Sequence, residues 1–468
     1  MKGLRLKDAI DSFKEDLIQS VQDCIRIKSV SSDHDGTQRA LEYYLALAHS
    51  MGFSTHNVEN LGGVIEYGEG KKTYGMIVHL DTVPEGSGWK FPPFGGLIQE
   101  GKIYGRGAID DKGPALSALY ALKALKDSGS GISSECKVQI IIGIDEEGIW
   151  NTTPKLLKKI KEPDFSFVPD SKFPVVIAEK GLVWLEIKKT LSQESSGNSR
   201  ITIETMQGGG QSLNIVPDYC EATLRLNDDQ KTQTKEELKL FQEQTGYDIS
   251  LEKNASVCKL ISKGKSAHAF ICNEGRNAIS QLIMFLSLLE LEGGQKEFIQ
   301  AYAQSMAMEY YGESLGLSLE DQLTGKLTVN PGYILIDEKN ITLKVDIRFP
   351  AKERLDIIKP KIERAFSVFQ GNLTIIDSLE SLSFPEDDPN IRRLIRVYQD
   401  FTGDTEAKPL GMGGTTFSKA FKRAVAFGPT FPGMPKVEHQ PDEYMEIEHL
   451  IKCTEIYALA LQSLVRNE

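Results

Sequence analysis

Tyr74-Gly75-Met76-Ile77-Val78-His79-Leu80-Asp81 is a short, nearly unbroken apolar run that closes on a histidine and an aspartate. Such a run, lacking the alternation of a half-exposed strand, suits a strand buried on both faces between helices. The pattern recurs in Lys137-Val138-Gln139-Ile140-Ile141-Ile142-Gly143-Ile144-Asp145-Glu146-Glu147 and in Asp164-Phe165-Ser166-Phe167-Val168-Pro169-Asp170. In open α/β sheets the ligand crevice lies beyond the carboxyl ends of the strands, so these polar ends should converge. The expected fold is therefore α/β, with a central, mostly parallel sheet and helices on both faces.

Between the first two runs lies Tyr104-Gly105-Arg106-Gly107-Ala108-Ile109-Asp110-Asp111-Lys112-Gly113-Pro114, leading directly into an apolar helix from Pro114 to Leu125. Gly105 and Gly107 permit a tight turn and close approach of a ligand, and Pro114 suits a first helical turn. Asp110 would then be held on a stiff turn, where its two oxygens can serve two cations. Taken alone the stretch reads better as a solvated Asp-Asp turn before a helix. The other ligand-type residues decide: His79, Asp110, Glu147, Asp170 and His439 supply the neutral imidazoles and charge-offsetting carboxylates that a pair of zinc-like ions needs.

Asp81, two residues beyond His79, points to the same side of a strand and can accept the second imidazole N–H. Glu146 precedes Glu147, and adjacent side chains on extended backbone point apart. One can bind metal while the other takes a proton from water. The plainer reading of Asp145-Glu146-Glu147 is an acidic helix start. Two dications facing three carboxylates leave a net positive centre that lowers the pKa of bridging water and polarises a carbonyl.

Around this core the periodicity predicts a helix over residues 5–27 and another from Thr37 to Met51, closed by Gly52. From about Gly181 the pattern changes to period-two strands, at Leu182 to Lys188 and Arg200 to Glu204, followed by the loop Gly208-Gly209-Gly210-Gln211-Ser212-Leu213-Asn214. Helices are expected at Ala278 to Leu291, Lys296 to Tyr311 and Glu353 to Phe369, and strands at Lys326 to Ile336, Ile341 to Ile347 and Leu373 to Ile376. A charged link at Phe384 to Pro389 leads to a helix over Asn390 to Thr402. Gly411 to Thr416 opens another, Arg423 to Phe427 is a strand, and a helix from Ile447 to Val465 closes the chain. Residues 1–182 and 383–468 read as one discontinuous catalytic domain. Residues 183–382 read as an inserted α+β lid domain made of two similar halves.

At 468 residues the chain exceeds a single core. Its net charge of −12 argues against a nucleic-acid partner. Gly208 to Ser212 lacks the Lys-Ser/Thr of a phosphate loop, and no dinucleotide-binding spacing occurs. The six scattered cysteines read as buried thiols, residues 1–28 as an amphipathic helix with no secretory signal, and no apolar run reaches membrane-spanning length. A cytoplasmic address is expected.

His79-Leu80-Asp81, Gly105 to Gly113, Asp145-Glu146-Glu147-Gly148, Pro169-Asp170 and His439 together resemble the co-catalytic zinc peptidases of the aminoacylase and desuccinylase superfamily. Asp170 to Val175, Glu179-Lys180-Gly181 and Phe427 to Gly433 are similar to its dipeptidase V branch. The resemblance implies one zinc on His79, Asp110 and Asp170 and another on Asp110, Glu147 and His439, with manganese or cobalt as alternatives. It implies a metal-bridging hydroxide as nucleophile, Glu146 as general base, Asp81 as the orienter of His79, and a cis peptide between Asp110 and Asp111.

In the inserted domain the resemblance makes His268 the oxyanion donor, where unaided reading gives a structural histidine. Arg348 and Asn214 become ligands of the substrate's terminal carboxylate, and Thr416 adds backbone donors at a helix start. Thr415 and Lys419 depart from the branch, which places a glycine and an arginine there, and bear on substrate preference. The implied enzyme is a monomeric dipeptidase acting on small unblocked dipeptides. The alternatives are an N-acyl-amino-acid deacylase with the same centre, or a non-catalytic metal-dependent peptide-binding protein.

Overall fold

The computed structural model describes residues 2–129, 132–148, 150–192, 201–210, 212–254 and 257–466. Arg200 and Gln211, named above in a strand and a loop, lie outside these. The chain divides into two compact units, one of Met1–Ile177, Phe384–Gly411 and Thr415–Glu468, the other of Ala178–Ser383 and Met412–Gly414.

In the first unit the strands run in the order Ser54–Asn57, Gly63–Tyr67, Cys136–Gly143, Lys72–His79, Phe165–Val168, Ala424–Ala426. The last four are mutually parallel and the first two form an antiparallel edge. The apolar runs are the central strands, and Lys72–His79 is buried from Thr73 onward. Register matters here: His79 lies opposite Gly143, so the segments that follow both strands, Leu80-Asp81 and Ile144 to Glu147, leave the sheet at one level.

The helix Lys112–Asp127 is buried on all sides over its first three turns and packs against Ile447–Val465, the closing helix. A helix apolar all round belongs in a core, and this one anchors the turn that carries Asp110. Two expectations are corrected. The helix over residues 5–27 is two, Lys2–Ser12 and Lys14–Arg26, interrupted at Phe13, whose ring is buried against Tyr120 at 5.2 Å. The helix expected after Gly411 to Thr416 is a single 3-10 turn, Phe417–Ala420, because Phe417 turns inward to join Ile77, Ile141 and Val168 in the core.

The second unit is one antiparallel sheet of eight strands in the order Asp248–Asn254, Val257–Lys263, Tyr219–Arg225, Thr202–Gly209, Thr328–Ile336, Asn340–Phe349, Gly181–Thr190, Asn372–Leu379. Two four-stranded halves join where Met206 to Gly209 pair with Ile336 to Tyr333. The helix Asp228–Thr245 and the hairpin after it were not anticipated. That helix buries only Thr234, Leu238 and Phe241, too narrow a stripe to register as periodicity. Its ends carried clearer marks, a capping box at Asn227 and Gln230 and a left-handed Gly246.

A side chain at Gly143 would meet the Phe417 ring, a contact neither can relieve without moving the strand end. Gly143→Ala is expected to cost about 1–3 kcal/mol, the usual range for overpacking, read as a lower midpoint in urea unfolding.

Candidate metal centre

The ligand-type residues of the first unit come from the strand ends that the sheet aligns. His79 is the last residue of its strand, Glu146 and Glu147 follow the strand Cys136–Gly143, and Asp170 follows Phe165–Val168. Asp110 comes from the turn before the buried helix, and His439 from the loop before the closing helix.

Asp110 spans both imidazoles. Its Oδ1 is 3.2 Å from Nε2 of His79 and its Oδ2 is 2.9 Å from Nε2 of His439. Asp170 Oδ2 is 3.7 Å from His79 Nε2, and Glu147 Oε1 is 2.8 Å from His439 Nε2. The ligand atoms fall into two groups, His79 with Glu146 and Asp170, and Asp110 with Glu147 and His439. Glu146 thus stands in the His79 group, among the ligands and not apart from them. Two ligand atoms on one tetrahedral zinc lie about 3.3 Å apart, close to these separations.

The supporting bonds are buried. His79 Nδ1 is 3.0 Å from the Asp81 carbonyl and 3.4 Å from its Oδ1, which leaves Nε2 facing the carboxylates. That Nε2 is buried and makes no well-directed hydrogen bond, which suits it to hold a metal ion. Asp81 accepts Ser31 Oγ–H at 2.6 Å and the amides of Glu146 and Glu147 at 3.1 and 3.0 Å. Asp81 therefore orients the imidazole through its backbone carbonyl while its carboxylate holds the acidic pair. Asp145 holds Thr152 N–H and Thr153 Oγ–H, and Trp150 Nε1 donates to the Glu146 carbonyl at 2.9 Å, which fixes that loop. The Asp110–Asp111 peptide is cis. Asp111 Oδ2 accepts the His79 amide at 3.2 Å.

Electrostatically the cluster is overcrowded. Burial, with the charge of Asp110, raises Asp170 to about 6 and Glu147 to about 7. Burial and Asp170 raise Glu146 well above the usual carboxylate range. Burial works against charge on His79, yet Asp110, Asp170 and Asp81 outweigh it and raise the imidazole well above its ordinary value. Asp81 moves the other way, because His79 and Ser31 overcome its burial. Asp110, between the two imidazoles, is held below the usual carboxylate range, while the other three carboxylates and both imidazoles are pushed toward protonation; the donor set fits two divalent cations in place of those protons.

Sequence reasoning missed Glu443 and the role of Arg106. Glu443 Oε1 accepts the amides of Ile109 and Asp110 at 3.1 and 3.3 Å, and Arg106 Nη1 lies 2.6 Å from its Oε2. The only available signal was the position of Glu443 four residues beyond His439. Thr416 caps the 3-10 turn: its hydroxyl accepts the Ser418 amide at 3.1 Å and lies 2.8 Å from Ser418 Oγ. Lys419 Nζ donates to Thr415 Oγ1 at 3.0 Å.

In the second unit His268 Nδ1 accepts the Phe270 amide at 3.2 Å, which places the ring proton of the neutral imidazole on Nε2. Asn214 precedes Ile215, which bridges to His268, and the buried Asn330 side chain donates to the Leu213 and Ile215 carbonyls on either side of Asn214, each at 3.0 Å. Arg348 is almost wholly buried. Asp346 takes its Nε at 2.9 Å and Nη2 at 3.0 Å, while Trp184 Nε1 donates to Asp346 at 2.7 Å.

Residues 75–463 match peptidase family M20/M25/M40. A Bacillus subtilis (strain 168) protein named "Putative dipeptidase YtjP" is 34% identical over 465 residues, 97% of this chain and 98% of that protein. A like-named Staphylococcus aureus (strain MRSA252) protein is 29% identical over 477 residues, 99% of this chain and all of its own. Among solved structures, human carnosine dipeptidase 1 superposes with a TM-score of 0.59 at 15% identity, covering 99% of each chain. The dipeptidase Dug1p of Saccharomyces cerevisiae gives 0.60 at 15% identity over all of both chains. These two likenesses are of fold. Among the described residues no helix is long and apolar enough to cross a membrane.

Protein stripped with a chelator and titrated with Zn²⁺ or Mn²⁺ is expected to take up two ions per chain. Asp110→Ala should weaken both and His439→Ala one, as read by isothermal titration calorimetry. A wild type that saturates at a single ion is incompatible with a shared Asp110.

Proposed function

We propose that this chain, which belongs to peptidase family M20/M25/M40, is a dinuclear metal-dependent dipeptidase that hydrolyses small unblocked dipeptides. The observation that carries the reading is the single Asp110 carboxylate reaching two imidazoles, with Glu146 adjoining the ligand Glu147. The name shared by relatives along nearly the whole chain supports the substrate class. By the resemblance the ions are zinc, with manganese or cobalt as alternatives, and the enzyme is a cytoplasmic monomer.

His79, Asp110 and Asp170 would hold one ion and Asp110, Glu147 and His439 the other. When bound, the pair lowers the pKa of water and polarises the scissile carbonyl. The chain's own residues do the rest. Glu146 accepts the proton of the attacking water at its carboxylate and passes it to the leaving amine. Its backbone is held at both ends, by Asp81 at the amide and by Trp150 at the carbonyl, which limits where the carboxylate can swing.

His268 donates from Nε2 to the oxyanion, the role its tautomer suits. Arg348 receives the substrate's terminal carboxylate on Nη1, which lies outside its bonds to Asp346. Asn214 adds an amide on a loop that Asn330 keeps still. Because the Thr416 hydroxyl is engaged with Ser418 at the head of a single 3-10 turn, its contribution comes from its own backbone N–H and not from a helix start.

Metal-reconstituted protein is expected to cleave free dipeptides and to leave their N-acylated forms intact. Preferential release of the acyl group would establish a deacylase instead. Glu146→Ala should lower kcat by about 10²–10⁴-fold with substrate binding retained, followed by steady-state kinetics and calorimetry. A variant of near wild-type kcat removes Glu146 from the chemistry.

A further inference from the structure

We propose that Arg106 and Glu443 form a buried clamp that positions His439 against Asp110 and so governs chiefly the ion held by Asp110, Glu147 and His439, the His79 ion being touched only through the shared Asp110. The inference rests on the two-ion reading above.

The pair is 2% and 0% exposed and closes at 2.6 Å. A buried ion pair is poor evidence of added stability, since apolar residues of similar volume often serve a fold as well. What distinguishes this one is its other bonds. Glu443 Oε1 takes the Ile109 and Asp110 amides, and the Glu443 carbonyl takes the Gly105 amide at 2.9 Å. From the other end Arg106 Nη2 donates to the His439 carbonyl at 3.3 Å and Nη1 to the Gln440 carbonyl at 3.4 Å. The pair thus grips the backbone of the bridging aspartate and of the histidine facing it, two segments far apart in sequence.

His439 has need of such a hold. It lies on a loop, half its side chain is open to solvent, and its φ of +63° is one that a residue bearing a Cβ rarely adopts. His79 has none of these liabilities, being the last residue of a buried strand with Asp81 behind its ring. The two halves of the centre are therefore fixed by separate devices. Arg106 and Glu443 lie behind the ligands and are positioning residues. Only a planar fork serves several acceptors in this way, so lysine is no substitute for Arg106.

The test compares wild type, Arg106→Lys, Glu443→Gln and Glu443→Asp as full-length proteins. Each is stripped, titrated with Mn²⁺, and followed by calorimetry and by electron paramagnetic resonance of the spin-coupled ion pair, with circular dichroism to verify folding. Expected is one ion weakened about 10–100-fold and the other markedly less, with loss of the coupled-pair spectrum at limiting metal. Glu443→Asp, which keeps the charge but shortens its reach, should fall between wild type and Glu443→Gln. Two ions at wild-type affinity in the folded variants overturn the clamp, as does equal weakening of both. If Arg106→Lys or Glu443→Gln fails to fold, the folded Glu443→Asp decides by the same criterion. A wild type that binds no ions overturns the two-ion reading and the clamp with it. A wild type that binds two ions, beside unaffected variants, overturns the clamp alone.

Discussion

Asp110 lies between two histidine rings, one oxygen toward each, in a space that also receives Asp170, Glu146 and Glu147. Like charges brought this close and withdrawn from water repel strongly, and protons relieve that only by neutralising the groups that give the site its chemistry. The fold spends its most rigid parts on holding them together. Three ligand-bearing segments leave the ends of adjoining parallel strands, and a fourth hangs on a helix sealed in the core. Such rigidity keeps the crowded carboxylates from separating, and it leaves cations as the natural counterweight.

Asp81 shows how economically the arrangement is maintained. Its carboxylate accepts one hydroxyl and two backbone amides and faces the imidazole of His79. Each bond strengthens its anionic form, so the residue stays an acceptor while its neighbours are pushed toward protonation. The orientation of His79 and the path of the loop that carries Glu146 and Glu147 are thereby joined through one residue. In the other unit Asp346 plays a comparable part for Arg348, with Trp184 fixing the aspartate in turn.

What the sequence disclosed follows from which forces act locally. Strands buried on both faces must be apolar throughout, so Lys72–His79 and Cys136–Gly143 were legible, and ligand-type residues stood out where those runs ended. The helix Asp228–Thr245 escaped because its contact with the core is a thin stripe, and the break at Phe13 because it arises from a ring partner a hundred residues away. Arg106, Glu443, Ser31 and Asn330 were illegible for a related reason. Arg106, Glu443 and Asn330 are buried and Ser31 is half-buried, each satisfying backbone groups or a carboxylate supplied by remote chain, and nothing in its own neighbourhood announces that duty.

His439 is contributed by the last tenth of the chain, whereas the aspartate it faces belongs to the first quarter. A polypeptide cut between them would leave Asp110 facing one imidazole in place of two, and the closing helix that packs on the helix after Asp110 would be lost with His439. The cluster is therefore a property of the assembled unit, and no contiguous stretch of the chain carries it alone.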